Sequence, residues 1–445
     1  MKALMIAAMQ SRSGKTVFSC ALMAALQRRG LQVCAFKSGP DYIDPMFHRR
    51  VLGIESRNLD LFLQGKAGVQ RSFARAEGDI ALVEAAMGYY DGINMETRAS
   101  AWELARVLEL PVLLVLRPKG SGITLAAQVR GMLEFRAENR IAGLLLNDCR
   151  EALAQKLRPV LERECGLPVL GCLPPMPEAG FESRHLGLMT ADEIGDFDAR
   201  MKRLAEQTEQ SVDLDRMLSL AEEKPVGTKT TEEKPRVRCR IAVAEDEAFC
   251  FRYADSLRAL DAAGAELVYF SPLQDRKLPE ADGLYLCGGY PELYAEPLSE
   301  NSRMREDIRQ AVADGLPTVA ECGGFLYLQE SLEGTDGKTY PMCGALPGKG
   351  YRTGTLRRFG YLTLEAKEDS LLFRAGESIP AHEFHYWDST DCGRGLTARK
   401  EDGRQWRCGA VSAVRYAAFP HLHFGGELPL AERFVKACEK YADIN

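Results

Sequence analysis

Residues 2–26 have the sequence KALMIAAMQSRSGKTVFSCALMAAL, and this stretch is the clearest guide to the architecture of the first half of the chain. The short apolar run Lys2–Ala8 is typical of a buried strand, and apolar residues from Val17 onward recur at helical spacing. Between them lies the small, polar loop Ser11–Thr16. A strand, a loop and a helix in this order form the unit from which phosphate-binding α/β domains are built.

Further apolar runs of strand length follow, mostly separated by segments of helix length. They lie at 31–36, 80–83, 112–116, 141–146 and 169–173, and then at 240–244, 266–270, 283–286 and 318–320. This alternation predicts an α/β protein in which parallel sheets are connected by crossover helices.

A charged segment separates the two series of strands. Within it, Glu222–Pro225 recurs as Glu232–Pro235, and no aromatic residue lies between 206 and 235. Such a composition buries little apolar surface, so we expect a flexible linker at 206–236. The expected domains are then 1–205 and 237–445.

Composition excludes several classes of protein. The 445 residues carry a net charge of −6, whereas a protein that coats nucleic acid is usually basic. The 13 cysteines are scattered and form no C-x-x-C pair, which favours reduced thiols over disulfides. The longest apolar runs fall short of the roughly 20 residues that a membrane helix needs. We therefore predict a cytoplasmic protein with no nucleic-acid or membrane partner.

The first loop predicts a nucleotide site. Backbone N–H groups of Ser13 and Gly14 would hold phosphate at the helix start, Lys15 would reach the terminal phosphates, and Thr16 would bind Mg²⁺. Met9 stands where the usual phosphate-loop pattern has its first glycine. Two polar clusters support the site because they follow neighbouring strands at the predicted carboxyl edge of the sheet. Their candidate residues are Lys37 for ATP, Asp44 and Glu84 for Mg²⁺, and Asp41 and Asp91 nearby.

A second candidate site surrounds Cys322. The apolar strand ending at Glu321 is followed by Cys322, two glycines and a helical start, which predicts a sharp turn with a nucleophilic thiol at its apex. The helix start would lower the pKa of the thiol, and the N–H of Gly323 would stabilise an oxyanion. A second oxyanion donor is expected in the loop that contains Gly288 and Gly289.

The base for this thiol must come from six histidines. His421 and His423 follow a plausible late strand, but alternation places both on one face, so spacing does not choose between them. His382 and His385 would lie on opposite faces of a strand, which disfavours zinc and leaves substrate contact or structure.

Eight motifs make the chain resemble the cobyrinic acid a,c-diamide synthase family nearly from end to end. They are FKSGPDYIDP at 36–45, SRNLD at 56–60, RHLGL at 184–188, AFCF at 248–251, GGYPE at 288–292, AECGG at 320–324, HEFH at 382–385 and HLHF at 421–424. The resemblance implies an N-terminal P-loop domain similar to dethiobiotin synthetase and a C-terminal class I glutamine amidotransferase domain. It also implies that Cys322 is the nucleophile and His421 its base.

The implied reaction converts the a and c carboxylates of a corrinoid to amides with ATP, Mg²⁺ and glutamine, through an acyl phosphate and channelled ammonia. Such a polycarboxylate substrate would favour basic contacts, for which Arg57, Arg184 and Lys119 are candidates alongside His382 and His385. Ala8, Arg12 and Cys287 stand where relatives often have glycine. His423 occupies the position where most triads have glutamate, so no third triad member is assigned.

Three alternatives stay open at this point: cobyric acid synthase, a nickel-sirohydrochlorin a,c-diamide synthase, and a non-catalytic ParA-like ATP switch. The Cys322 turn argues against the switch. The sequence does not determine the metal of the macrocycle, the order of the two amidations, or whether the chain forms a homodimer.

Overall fold

The computed structural model describes residues 1–179, 183–184, 187–188, 194–225 and 236–444. The chain divides into two compact units, 1–230 and 231–445, each with its own sheet and apolar core. The predicted α/β class is confirmed, with parallel strands and intervening helices in both units.

The first unit is built on an eight-stranded sheet. Its strands are β1 (Lys2–Ala8), β2 (Val33–Ser38), β3 (Arg57–Leu59), β4 (Ile80–Glu84), β5 (Val112–Leu116), β6 (Ile141–Leu146) and β7 (Val169–Cys172), in the order β3-β2-β4-β1-β5-β6-β7. Two short strands, β8 (Ser183–Arg184) and β9 (Gly187–Leu188), pair separately, and β10 (Glu222–Glu223) runs antiparallel to β1. The seven central strands are parallel, so their carboxyl ends share one edge.

Helices connect these strands, as the segments of helix length between the apolar runs predicted. They are α1 (Lys15–Arg28), α2 (Ile43–Leu52), α3 (Leu61–Ala74), α4 (Ala101–Val107), α5 (Thr124–Glu134), α6 (Glu151–Cys165), α7 (Phe197–Ser211) and α8 (Leu214–Leu220). Strands β1, β4 and β5 are almost wholly buried, as expected for a parallel sheet covered on both faces.

The segment expected to be a linker begins with ordered structure instead. Helix α7 continues through Ser211, α8 follows it, and β10 joins the main sheet, so the first unit extends beyond residue 205. Leu214 and Met217 are fully buried one helical turn apart, and the Asp213 side chain accepts the N–H of Arg216 at the start of α8. The high charge of this segment belongs to the exposed faces of these helices. Residues 226–235 lie outside the described part of the chain.

The second unit contains a five-stranded parallel sheet. Its strands are β11 (Cys239–Ala244), β12 (Ala265–Phe270), β13 (Gly283–Leu286), β14 (Thr318–Glu321) and β21 (Arg415–Ala418), in the order β12-β11-β13-β14-β21. Its helices are α9 (Ala254–Ala262), α10 (Ala295–Glu300), α11 (Ser302–Ala313), α12 (Gly323–Leu328) and α13 (Leu430–Ala442).

A second, mostly antiparallel sheet was not predicted. It contains β15 (Ser331–Glu333), β16 (Thr339–Pro341), β17 (Lys349–Ala366), β18 (Ser378–Ser389), β19 (Leu396–Arg399), β20 (Gln405–Cys408) and β22 (His421–Leu422). The chain leaves β21 in the parallel sheet and joins this sheet three residues later through β22, which pairs with β18. This crossing carries His421 to the end of β14, where Cys322 lies.

None of the helices in the described residues is both long enough and apolar enough to span a lipid bilayer.

Candidate active site

The phosphate loop of the first unit is held in place by its own side chains and by β6. Ser13 Oγ donates to the carbonyl of Gln10 at 2.9 Å, and Asn147 Nδ2 donates to the carbonyl of Ser13 at 2.9 Å. Gly14 directly precedes α1 and has a φ of +82°, and a β-carbon there would overlap the Asn147 amide. The loop therefore needs glycine at this position, and its N–H groups lie at the helix start, where phosphate binds.

Lys15 lies over this loop. Its Nζ donates to the carbonyl of Met87 and, at 3.4 Å, to that of Gln10. Burial and the neighbouring charge of Lys37 lower the pKa of Lys15 to about 8. An ammonium whose hydrogen bonds, among the described residues, go to carbonyl oxygens is available to bind phosphate oxygens.

The candidate metal residues meet at the carboxyl ends of three strands. Lys37 Nζ donates to Glu84 Oε1 at 2.9 Å and also to Asp44, and Thr16 Oγ1 donates to Glu84 Oε1 at 2.9 Å. Lys37, Asp44 and Glu84 are buried. The structure thus brings together residues from β2, β4, α1 and α2, as the sequence predicted.

Opposite charges control the protonation of this cluster. Burial disfavours the charge on Lys37, but Asp44, Glu84 and Asp41 outweigh it and raise the pKa of Lys37. Burial likewise favours a neutral Glu84, yet Lys37 and His48 hold the pKa of Glu84 well below its usual value. Burial and Asp41 raise the pKa of Asp44. The pKa values of the two carboxylates are therefore shifted in opposite directions.

The donor set is compatible with magnesium but not with an all-protein metal cage. No group of three or more His, Cys, Asp and Glu side chains that could hold a metal occurs in the part of the chain that the structure describes. Mg²⁺ in nucleotide sites is usually bound by one or two carboxylates together with phosphate oxygens and water. Thr16, Asp44 and Glu84 supply such oxygens at the phosphate loop.

Sequence reasoning missed His48 in this cluster. Its side chain is fully buried in α2, with Nε2 at 2.8 Å from Glu84 Oε2 and Nδ1 at 3.0 Å from Ser56 Oγ. A signal was present, because His48 follows Asp44 by four residues and therefore lies on the same face of the helix.

Two further acidic candidates stabilise local structure close to the cluster. Asp41 Oδ1 accepts the N–H groups of Ile43 and Asp44 at 2.8 and 3.1 Å, which caps the start of α2. Asp91 Oδ2 accepts the N–H of Gly88 at 2.9 Å, and its charge favours the charged form of Lys15.

The basic candidates are placed differently. Arg57 donates to the carbonyls of Ser72 and Arg75 at 2.9 and 3.1 Å and lies over the ring of Phe36, so its guanidinium holds α3 against the sheet. The backbone of Arg184 lies in β8, whereas its side chain and the whole of His185 lie outside the described residues.

Cys322 has the predicted strained turn. Cys322 lies between the end of β14 and the start of α12, with a φ of +48° and a ψ of −103°. Its N–H donates to the carbonyl of Ala418 at 2.8 Å. The prediction that the helix start lowers the pKa of the thiol is wrong. Burial, Glu292 and Glu383 raise the pKa of Cys322, and the N–H of Gly323 only partly opposes them. In this environment the thiol is therefore protonated at neutral pH.

The structure distinguishes the two late histidines. His421 lies in β22 with Nδ1 at 3.8 Å from Glu321 Oε2. The strand ends at Leu422, so the alternation that placed both histidines on one face does not extend to His423. His423 instead packs against Tyr253, with ring centroids 4.8 Å apart, and its Nδ1 accepts the N–H of Gly425 at 3.1 Å.

The glycine loops approach each other beside Cys322. A β-carbon on Gly323 would lie 3.1 Å from the backbone nitrogen of Gly289, and one on Gly288 would lie 2.5 Å from His421 Cε1. Cys287, in contrast, donates its thiol to the carbonyl of Ala244 at 3.5 Å and is fully buried in the sheet. The second thiol therefore has a packing role.

His382 and His385 lie on opposite faces of β18, as predicted. His385 Nε2 lies 2.7 Å from Glu383 Oε1, and Nδ1 bonds the carbonyl of Trp387. His382 is the direct cross-strand neighbour of His421, and burial together with His421 lowers the pKa of His382 to about 3. His382 is therefore neutral. Because His382 and His385 lie on opposite faces of β18, they do not lie together at one metal position.

Comparison with known proteins agrees with this division into two sites. Residues 4–184 match the family model of the CobQ/CobB/MinD/ParA nucleotide binding domain, and residues 240–428 match that of the CobB/CobQ-like glutamine amidotransferase domain. Together they define a glutamine-dependent carbon–nitrogen ligase with a nucleotide-binding domain. This class excludes the non-catalytic switch.

Similar full-length proteins narrow the class to a family. The cobyrinate a,c-diamide synthase of Clostridium acetobutylicum is 38% identical over 98% of this chain and all of that protein. Those of Clostridium tetani and Listeria monocytogenes serotype 4b are each 36% identical over 98% and 99% of this chain, and over 99% and 100% of their own length. The chain belongs to the cobyrinate a,c-diamide synthase family. A solved structure of chloroplast FtsY from Physcomitrella patens is similar over 45% of this chain and 65% of its own, at 18% identity and a TM-score of 0.31.

Proposed function

We propose that this chain amidates the a and c carboxylates of cobyrinic or hydrogenobyrinic acid in cobalamin biosynthesis, with ammonia taken from glutamine and activation by ATP. The observation that carries the proposal is the presence of two separate candidate sites in one chain, one in each unit. A phosphate loop with Lys37, Asp44 and Glu84 occupies the first unit, and Cys322 beside His421 and Gly288 occupies the second. Relatives named for this reaction match the chain over nearly its whole length.

In the second unit, Cys322 attacks the side-chain amide carbon of glutamine. His421 accepts the thiol proton, and the tetrahedral oxyanion is stabilised by the N–H groups of Gly323 and Gly289. When the intermediate collapses, the C–N bond breaks and His421 returns the proton to the departing ammonia. Water then hydrolyses the thioester and releases glutamate, which regenerates the thiol.

In the first unit, the substrate carboxylate attacks the terminal phosphorus of ATP, and ADP leaves. The resulting acyl phosphate is attacked by ammonia, so that the amide forms and phosphate departs with the acyl C–O bond. Lys15 and the N–H groups at the start of α1 neutralise charge on the phosphates. A free carboxylate and ammonia would form a salt instead of an amide, which explains why the chain needs both halves.

Bound Mg²⁺ would neutralise the nucleotide phosphates, with Thr16, Asp44 and Glu84 as its protein oxygens. Lys37 bonds both Asp44 and Glu84, so these three side chains are held together beside the phosphate loop. A cytoplasmic location and the lack of nucleic-acid partners remain predictions from composition.

The substrate is tested by parallel incubations with cobyrinic acid, hydrogenobyrinic acid and nickel-sirohydrochlorin, each with ATP, Mg²⁺ and glutamine. Mass spectrometry should find two amidations on cobyrinic or hydrogenobyrinic acid, each lowering the product mass by the difference between a hydroxyl and an amino group. Diamide formed from nickel-sirohydrochlorin alone, or amidation of carboxylates other than a and c, would contradict the proposed substrate.

A further inference from the structure

The candidate glutaminase site around Cys322 lacks a glutamate two residues after His421, where most triads have one. In this chain, the second residue after His421 is His423, whose ring packs against Tyr253. Burial lowers the pKa of His423 to about 4, so this side chain is neutral and supplies no negative charge. A histidine that accepts a proton from a buried thiol nevertheless needs an anion or a strong acceptor near its second nitrogen.

A buried carboxylate reaches His421 from a different strand. Glu321, the last residue of β14, is 1% exposed, and its Oε2 lies 3.8 Å from His421 Nδ1. Glu321 directly precedes Cys322, so the nucleophile and this carboxylate are fixed by the same strand end.

Two hydrogen bonds orient the Glu321 carboxylate. Oε2 accepts the hydroxyl of Tyr285 at 3.0 Å, and Oε1 accepts the N–H of Leu422 at 2.9 Å. The second bond is directed at the residue that follows His421. The carboxylate is thereby tied to the backbone of the very strand that carries the base, which fixes the distance between the two groups.

We propose that Glu321 is the positioning residue of the glutaminase site and replaces the absent glutamate of the triad. It holds the proton of His421 on Nδ1, which leaves Nε2 to accept the thiol proton of Cys322, and it stabilises the imidazolium that forms. The inference rests on the proposed roles of Cys322 and His421. No atom is transferred to Glu321, because the proton moves between sulfur, Nε2 and the leaving ammonia.

The neighbouring polar residues do not serve this role. His382 lies directly across from His421 on β18, but it is neutral. Glu383 Oε1 is committed to His385 and Arg358. Glu321 is thus the carboxylate that the described residues place at His421 Nδ1.

Glu321→Gln tests the charge with little change in shape, because glutamine can still accept from Leu422 and can donate to the Tyr285 hydroxyl. We expect kcat for glutamine hydrolysis to fall by about tenfold or more, as removal of the orienting carboxylate does in related triads. KM for glutamine and ammonia-dependent amide synthesis should stay within about twofold of wild type. Glu321→Asp, which keeps the charge, should recover part of the lost kcat.

Glu377→Gln provides the matched control in the same unit. It removes a carboxylate that pairs with Arg433 at 2.6 Å and touches neither Cys322 nor His421. An unchanged kcat in Glu321→Gln would overturn the role of Glu321. The same fall in kcat in Glu321→Gln and Glu377→Gln would also overturn it. If Glu321→Gln does not fold, Glu321→Asp decides: a kcat equal to wild type at unchanged KM would contradict the proposal. Glutamine use that survives Cys322→Ala would instead refute the proposed function itself.

Discussion

Gly288 lies directly against the imidazole of His421, and a β-carbon on it would come within 2.5 Å of Cε1. Gly288→Ala should therefore displace His421 and lower glutamine-dependent synthesis by about tenfold or more, since a small misplacement of a catalytic group is costly. Ammonia-dependent synthesis should not change, because the ATP half-site is untouched. Rates with glutamine and with ammonium salt measure the two effects separately.

Gly131→Ala is the control for that substitution. Gly131 lies in α5, and an added β-carbon there would meet no atom within 4 Å. Both activities should survive this change. Equal glutamine-dependent rates in Gly288→Ala and Gly131→Ala would show that the close approach to His421 has no functional consequence.

Lys37→Met should strongly destabilise the first unit. Without Lys37, Asp44 and Glu84 remain buried without their shared cation, and breaking a buried pair in this way costs about 3–5 kcal/mol. The loss should shrink as pH falls, because protonation then relieves the unpaired carboxylates. Denaturant unfolding at several pH values checks both points. Exposed Lys66, changed to Met, should leave stability within about 0.5 kcal/mol.

The pKa of Lys15, about 8, predicts how nucleotide binding depends on pH. Phosphate favours the charged lysine. Above pH 8, nucleotide binding is therefore coupled to the uptake of a proton by Lys15 from solvent. Affinity for a non-hydrolysable ATP analogue should fall as pH rises above 8, by at most about tenfold per pH unit. Calorimetry in buffers of different ionisation enthalpy measures the proton uptake. In Lys15→Arg the side chain stays charged, so its nucleotide affinity should not fall in this way. If the affinity of Lys15→Arg depends on pH as that of wild type does, titration of Lys15 is not the cause.

Glu292 should make the protein less stable above neutral pH. Burial raises the pKa of its carboxyl from 4.5 to about 7, which corresponds to about 3 kcal/mol. The folded state binds the extra proton between these values, so this stability is complete below pH 4.5 and is lost as pH rises through 7. Glu292→Gln should be the more stable protein at pH 8 but not at pH 4.5. Exposed Glu296→Gln serves as the control, and parallel pH profiles of all three proteins would refute the assignment.

Much of the fold follows from local patterns. The apolar runs that became β2, β4, β5, β6 and β7 are continuous and wholly or almost wholly buried, so length and hydrophobicity alone identify them. The antiparallel sheet of the second unit was missed because several of its strands, β16, β17 and β20 among them, are partly exposed and form no continuous apolar run. In β17, no residue from Tyr351 to Tyr361 is buried, and this stretch contains the register shifts between Arg352 and Gly360. Such a strand is stabilised by its partners more than by its own pattern.

The two candidate sites could likewise be predicted only where local patterns place the residues. Lys15, Thr16, Asp44 and Glu84 were predictable because parallel strands bring their carboxyl ends to one edge. Glu321 was not, since its position beside Cys322 suggested only the end of a buried strand. Its contact with His421 depends on how β22 crosses from one sheet to the other, a tertiary relationship that spacing does not encode.

The central claim, that glutamine is hydrolysed at Cys322 and its nitrogen is used at a separate ATP-dependent site, is tested most directly by Cys322→Ala. Purified wild type and variant are given the corrinoid substrate, ATP and Mg²⁺ with either amide-labelled ¹⁵N-glutamine or ¹⁵N-ammonium, and label in the product is measured by mass spectrometry. We predict that wild type incorporates label from both sources and that Cys322→Ala incorporates it from ammonium alone. Label from glutamine in the variant, or loss of incorporation from ammonium in a variant that remains folded, would contradict the account.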